Sequence, residues 1–359
     1  MLLHEREINT DDPSPVMPFA EGIQSTNRMT GIGGSDIAAI VGKIPSFYKR
    51  DVNVVYLEKI GTRHPFSGNE ATDWGNRLEP LLRDKYLDDH QDLTMFTMKR
   101  GQTIRDNEHP FIFATPDGIC FGQEGDAHIW EAKTVRYPSN KEGARWGEAD
   151  VDGDPVIPDN VRLQVAWYNA VLESWGTPLE NFSKVSVLIG GQDYREYTVP
   201  RDQELETALL QAGADFWENN VQKKVPPDPS HTEAYATVLK DRYPAPTNDV
   251  LVPASKEIED IARLYHNTKR DIVRLEDKLK FYENTLRNHI GNNQGVVGRD
   301  ADNGKPEFRM TWKLERKSST NRGNILKELG VTRESEVYQK HTKTTHSRVL
   351  RKYWNYEEE

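Results

Sequence analysis

The 359-residue chain has one cysteine, Cys120, and that scarcity removes several chemistries at once. A lone thiol makes no internal disulfide, no four-cysteine zinc site and no iron–sulfur cluster. No apolar run approaches the roughly 18 residues that a bilayer-spanning helix needs. Mean hydropathy is −0.78. The opening MLLHEREINTDDPSP turns acidic at once and has no apolar stretch, so a secretory signal is not expected. With the single thiol, this predicts a soluble protein of a reducing, cytosolic compartment. Gly31-Ile-Gly33-Gly34 lacks the preceding strand and third glycine of a dinucleotide loop, and no G-K-[ST] occurs. The ten histidines form no metal-spaced cluster. A net charge of −10 argues against a general polyanion binder, though not against a local basic groove.

At this length about two domains are expected, each able to bury a core. Residues 1–25 are polar and Pro-bearing and read as a mobile tail. Residues 26–225 alternate helical and strand patterns, an α/β core with helices flanking a mixed sheet. Helices are expected over 36–41, 51–60, 78–88, 158–175 and 203–221, and strands over 93–104, 111–114, 129–135, 185–189 and 194–199. Residues 226–254 hold six prolines between Pro226 and Pro253 and read as a connector, with a short helix near Glu233 to Lys240. Over 255–291 the period changes. Ile258, Ile261, Tyr265, Thr268, Ile272, Leu275, Leu279, Tyr282 and Leu286 follow unbroken 3-4 spacing, a coiled-coil seam that Gly291 ends. Residues 292–359 form a small basic module: from Lys305 to Trp354 there are 13 Lys/Arg and 5 Asp/Glu, with aromatics among them. That interleaving leaves a solvated face, a partner surface and a DNA contact all open.

The chemistry concentrates in Ala114-Thr-Pro-Asp117-Gly118 and Ile129-Trp-Glu131-Ala-Lys133. In a strand, Glu131 and Lys133 share one face while Trp130 and Ala132 share the other. Two carboxylates beside an ammonium suit metal-dependent phosphodiester hydrolysis. Hard Mg²⁺ takes carboxylate oxygens and keeps several waters, while a lysine orients the attacking water and meets charge on the phosphate. A surface ion pair on an edge strand is the plainer reading of E-x-K. Glu79, beyond the apolar face of Leu78, Leu81, Leu82 and Tyr86, is either a further metal-site carboxylate or a helix-start glutamate favoured by the dipole. Gln164 and Tyr168 share a helix face four residues apart, beside the Leu163/Trp167/Val171 stripe.

P-D-G followed by E-A-K, an upstream G-x-x-x-E and a downstream Q-x-x-x-Y resemble the PD-(D/E)XK nuclease superfamily. Arg28-Met-Thr-Gly-Ile-Gly-Gly-Ser35-Asp36 resembles the opening motif of its lambda-exonuclease or YqaJ-type viral recombinase branch. The likeness implies a restriction-endonuclease-like core that degrades double-stranded DNA from its ends in the 5′→3′ direction, with Mg²⁺ as cofactor and Mn²⁺ as a substitute. It implies that Glu79, Asp117, Glu131 and Lys133 are the catalytic and metal-binding set. Asp117 and Glu131 would be the main ligands, joined by the Ala132 carbonyl. Gln164 and Tyr168 would line the site, and Arg28 and Ser35 would hold the DNA 5′-phosphate, with Gly33 and Gly34 admitting the phosphate to the backbone. It further implies a homo-oligomer (a ring-shaped trimer), a single-strand annealing protein as partner, and a phage or prophage protein in the bacterial host cytoplasm. A structure-specific endonuclease and a non-catalytic DNA-end-binding or assembly protein remain the alternatives.

Overall fold

The computed structural model describes residues 17–25, 27–123, 125–136, 146–147, 156–246, 250–299, 306–314, 325–326 and 328–342. The chain divides between Tyr243 and Pro244 into two units. The first contains β1 (Ile23–Ser25), β2 (Ile32–Gly33), α1 (Gly34–Ile40), α2 (Val52–Lys59), α3 (Glu70–Asp89), β3 (Thr94–Phe96), β4 (Gln102–Arg105), β5 (Ile112–Ala114), β6 (Gly118–Phe121) and β7 (Ala127–Val135). It continues through α4 (Asp159–Glu173), β8 (Phe182–Ile189), β9 (Asp193–Pro200), α5 (Gln203–Asp215) and α6 (Glu233–Arg242).

A five-stranded sheet runs β3-β6-β7-β8-β9, antiparallel except for the parallel pair β7 and β8. The long crossover between those two strands contains α4, the connection that a parallel pair requires. A smaller sheet runs β1-β4-β5-β2. The expected mixed sheet flanked by helices is thus present. Val161, Leu163, Trp167, Tyr168, Val171 and Leu172 are buried on α4, in one core with Ile129, Val185 and Val187. The other face of the sheet is covered by α3, where Leu82 and Tyr86 close over Cys120 and Trp130.

Four boundaries differ from the sequence reading. The tail is shorter than expected: Phe19 is fully buried against Phe96, and Ile23 pairs with Ile104. Residues 1–16 lie outside the described residues. The single strand expected over 93–104 is two, β3 and β4, in different sheets. Gly101 turns the chain between them at φ 85°, a conformation that favours glycine. The helix expected from Leu78 begins at Glu70, capped by Asn69, and runs through Pro80, so Glu79 is mid-helix and owes nothing to a helix start. Leu81 on that helix is exposed rather than part of its apolar face. Finally, the first half of the connector is folded. Asp51 accepts a hydrogen bond from Thr232 Oγ1 at 2.7 Å, Asn53 reaches the Asp228 carbonyl at 3.0 Å, and α6 buries Ala234 and Val238 against Val54.

The second unit contains α7 (Lys256–Ile290), a hairpin of β10 (Gly295–Arg299) and β11 (Pro306–Thr311), and α8 (Glu336–Lys340). Ser255 caps α7 and Gly291 follows it at φ 53°, as the heptad reading expected. Tyr353 and Trp354 of the basic module lie outside the described residues. Because the folded contacts of the first unit end at Tyr243, a chain stopping near Pro253 is expected to keep a soluble, cooperatively unfolding core. Gel filtration and a thermal melt check this, and an aggregated or unfolded product contradicts it.

His128 on β7 gives the core a pH dependence. It is 4 % exposed, its Nε2 lies 3.0 Å from Tyr86 Oη, and its ring packs on Phe182. Burial, helped by Lys184 and His90, lowers its pKa to about 4. The folded state therefore holds the neutral ring, and between pH 6.5 and 4 the unfolded chain binds the extra proton. Stability falls with acidification across that window, by about 2 kcal/mol between pH 7 and 5. The loss of Tm over this range should shrink in His128→Phe; equal losses in both proteins would contradict the assignment.

Candidate active site

The pleat of β7 separates two functions along one strand. Trp130 points into the cluster under α3 and donates to Ser186 Oγ at 2.9 Å, fixing the strand against β8. Glu131 and Lys133 point the other way, toward α4. Since β7 lies between β6 and β8, this is no edge-strand surface pair: Glu131 is 1 % exposed.

Glu131 Oε1 accepts hydrogen bonds from Lys133 Nζ and, at 2.8 Å, from Gln164 Nε2. Gln164 Nε2 also lies 2.7 Å from Tyr168 Oη, so the two α4 residues meet the strand as a pair. Asp117, from the turn before β6, accepts from the Ala132 N–H at 2.8 Å. That bond fixes the P-D-G turn on the strand beside Glu131. Among the described residues, Glu131 Oε2 is buried and has no hydrogen-bond partner. A buried, unpartnered carboxylate oxygen is costly unless something else meets it.

The electrostatics express the same shortage of positive charge. Burial, then the Asp117 charge, raises the Glu131 carboxyl to about 8. Burial and Asp117 together raise Glu79 to about 7, with Lys133 and Arg83 opposing. Burial raises Asp117 as well, against the pull of Lys133. Burial works against the Lys133 ammonium, yet Glu131 and Asp117 outweigh it and keep the lysine charged. Tyr168 is held well above the usual phenol range by burial and by Glu131, so it remains a neutral hydroxyl.

This donor set fits a hard divalent cation. Asp117 and Glu131, with its bare Oε2, would offer oxygen ligands, and a bound Mg²⁺ would keep water in its remaining positions. Among the described residues no three His, Cys, Asp or Glu side chains converge as a ready-made metal cluster. Glu79 is near enough for the Asp117 charge to act on it.

Arg28 and Ser35 are brought together: the guanidinium donates to the Ser35 hydroxyl. Arg28 acts electrostatically on Tyr168, which places it toward the same site. The glycines beside them have a packing role as well. A Cβ on Gly33 would stand 2.7 Å from the Phe113 ring, and one on Gly34 2.5 Å from the Tyr168 ring and 3.2 Å from Gln164 Cγ. They let α1 and β2 approach α4 and β5, and so bring the Arg28–Ser35 segment to Gln164 and Tyr168. Asp106, outside the expected set, caps its own turn by accepting from the Glu108 and His109 N–H groups.

Residues 25–178 match the sequence model of the YqaJ-like viral recombinase domain. This stretch is similar to that family. A protein of Bacillus subtilis (strain 168), described as the uncharacterized protein YqaJ, is 26 % identical over 331 residues, covering 89 % of this chain and 90 % of that one. Among solved structures, an alkaline exonuclease from Laribacter hongkongensis is similar at a TM-score of 0.37 and 12 % identity, over 55 % of this chain and 91 % of that one. A phage-related exonuclease from Haemophilus somnus 129PT is similar at a TM-score of 0.34 and 14 % identity, over 54 % and 96 % of the two chains.

The first unit also contains a buried ion network that the sequence did not single out. Asp36, 1 % exposed, accepts from Arg50 Nη2 at 2.5 Å, Lys59 Nζ at 2.7 Å and the Gly33 N–H at 3.1 Å. Arg50 also binds Glu58 at 2.7 Å and the Ser35 carbonyl at 3.2 Å, and Lys59 binds the Arg28 carbonyl at 2.6 Å. Burial opposes the Asp36 charge, but Lys59, Arg50 and Arg28 together hold its carboxyl far below the usual range. The network therefore grips the backbone at both ends of the Arg28–Ser35 segment. Nothing in Arg50, Glu58 or Lys59 marked them: a charge on an exposed helix face reads the same in sequence.

Proposed function

We propose that this protein is a Mg²⁺-dependent exonuclease that degrades double-stranded DNA from its ends in the 5′→3′ direction, leaving 3′ single-stranded tails for strand annealing. The observation that carries this reading is Glu131. It is buried on a central strand with one oxygen bare, between Asp117, Lys133 and Gln164. Asp117, Glu131 and the Ala132 carbonyl would hold the ion, with Glu79 adding negative field. When bound, Mg²⁺ supplies Lewis-acid stabilisation of charge on the phosphate and lowers the pKa of bound water.

The chain's own groups supply the rest. Lys133, kept charged by its two carboxylates, orients the attacking water and faces the developing negative charge on the scissile phosphate. Gln164 holds Glu131 in one rotamer, and Tyr168 keeps its proton as a neutral donor beside the site. The Arg28 guanidinium and the Ser35 hydroxyl would grip a terminal 5′-phosphate, whose extra charge and free oxygen distinguish it from an internal one. On this reading the protein works in the bacterial host cytoplasm as a phage or prophage protein, in a homo-oligomeric ring with a single-strand annealing partner. Among the described residues no helix is long and apolar enough to cross a membrane.

Linear duplex and closed plasmid incubated with Mg²⁺, and in parallel with EDTA, separate this reading from its rivals. Degradation of the linear DNA alone, abolished by EDTA, is the expected result. Cutting of closed plasmid identifies an endonuclease, and no hydrolysis identifies a binder. Arg28→Ala should lose about 1.5–3 kcal/mol of charge-assisted binding, roughly ten- to hundredfold, on 5′-phosphorylated ends and almost nothing on 5′-hydroxyl ends. Equal loss on both would show that Arg28 does not read the end.

A further inference from the structure

The helix α7 presents an apolar stripe with no cover. Ile290 is its one buried residue. Among the described residues nothing shields the seam: Ile258, Ile261, Tyr265, Ile272, Leu275, Leu279 and Tyr282 stand 39–62 % exposed. At 1.5 Å per residue the 35-residue helix is about 52 Å long. A stripe of that length in water calls for a partner helix.

The seam itself says which partner. Reading inward from its two ends, the layers match in pairs: Ile261 with Leu286, Tyr265 with Tyr282, Thr268 with Leu279, and Ile272 with Leu275. Three of these four layers are apolar or aromatic on both sides, so the seam can close on its own copy running in the opposite direction, with Ile258 meeting His289 beyond them. The flanking charges distinguish the two directions. In a parallel pair Lys278 of one copy would meet Glu283 of the other, but Asp271 would face Glu276, a like-charge contact beside the centre of the seam. In the antiparallel pair, Lys269 faces Glu276 and Asp271 faces Lys278, each contact occurring twice about the two-fold axis. Lys269 and Lys278 already lean over the mirrored tyrosines, 6.0 Å from the Tyr265 ring and 5.8 Å from the Tyr282 ring. Asp271 is held only by an exposed pair with Arg274 at 3.4 Å, which gives way at little cost.

We propose that α7 pairs with α7 of a second copy of this chain as an antiparallel two-stranded coiled coil, its two-fold axis passing between Val273 and Arg274. The pairing joins protomers two at a time through the second unit. It is independent of the nuclease reading, since it uses no residue of the first unit.

Engineered cysteines in the full-length protein test both the partner and the direction, because the native Cys120 is fully buried. In the antiparallel pair Ile261 lies in a layer with Leu286 of the second copy, whereas the two Ile261 positions lie about 37 Å apart. The double variant Ile261→Cys/Leu286→Cys should form a disulfide-linked dimer under mild oxidation, and either single variant should not. Light scattering should give a mass that is an even multiple of the protomer. Lys269→Glu/Lys278→Glu should weaken association at least tenfold, and adding Asp271→Lys/Glu276→Lys should restore it. Dimers from either single variant, no dimer from the double variant, or cross-linking only after a different protein is added would each overturn the proposal.

Discussion

Glu131→Gln should abolish hydrolysis while leaving the protein at least as stable. The carboxyl is raised to about 8 by burial and by Asp117, so the folded chain without a cation disfavours the Glu131 anion and a neutral side chain suits the site. An amide of the same shape keeps the contact with Gln164, relieves the repulsion from Asp117 and leaves Lys133 with Asp117 as its remaining counter-charge. In the absence of divalent cation, Tm should be unchanged or higher. Activity should fall by about 10²–10⁴-fold, the range seen when a positioned catalytic group is lost. Added Mg²⁺ should raise the Tm of the wild-type protein and not that of the variant, because a ligand that binds only the folded state stabilises it by mass action. Hydrolysis within tenfold of wild type would remove Glu131 from the site.

The second large effect is on stability. Asp36→Ala leaves Lys59, whose side chain is 3 % exposed, without its carboxylate, and leaves Arg50 with Glu58 as its remaining carboxylate. Stripping one partner from a buried ion pair costs about 3–5 kcal/mol, because the surviving charge stays desolvated. For a unit of this size that corresponds to a fall in Tm of about 10 °C. Asp36→Ala/Lys59→Met, which removes both charges, should recover part of the loss. The same change frees the backbone at Gly33 and loosens the Arg28 and Ser35 carbonyls through their shared partners. Urea melts check the prediction, and a loss below about 1 kcal/mol would contradict the network's structural role.

The site was readable where chemistry and periodicity coincide. In Trp130-Glu131-Ala132-Lys133, two-residue alternation alone assigns the faces, and the structure places Trp130 under α3 and Glu131 and Lys133 toward α4. Gln164 and Tyr168 follow from helical spacing in the same way. What sequence could not supply was depth. An E-x-K pair reads alike on an edge strand and on a central one, and only the pairing of β7 with both neighbours buries Glu131. Glu79 shows the opposite error. The helix is expected from Leu78, but the Asn69 cap and the packing of Leu82 and Tyr86 belong to an α3 that starts at Glu70 and runs through Pro80. Gly33 and Gly34 also permit a close approach to Phe113, Gln164 and Tyr168, a packing role that their place in the sequence does not show. The Asp36 network stayed hidden because its partners come from α1, the turn after it and α2, a convergence that exists only in three dimensions.

The central claim is that Glu131 and its neighbours hydrolyse DNA from a 5′ end. One measurement tests it most directly: linear duplexes labelled separately at the 5′ and 3′ termini, incubated with Mg²⁺ and either wild-type protein or Glu131→Gln. Early release of the 5′ label by the wild type, retention of the 3′ label, and no release by the variant are the expected results. Release of the 3′ label first, or equal release by the variant, would contradict the account.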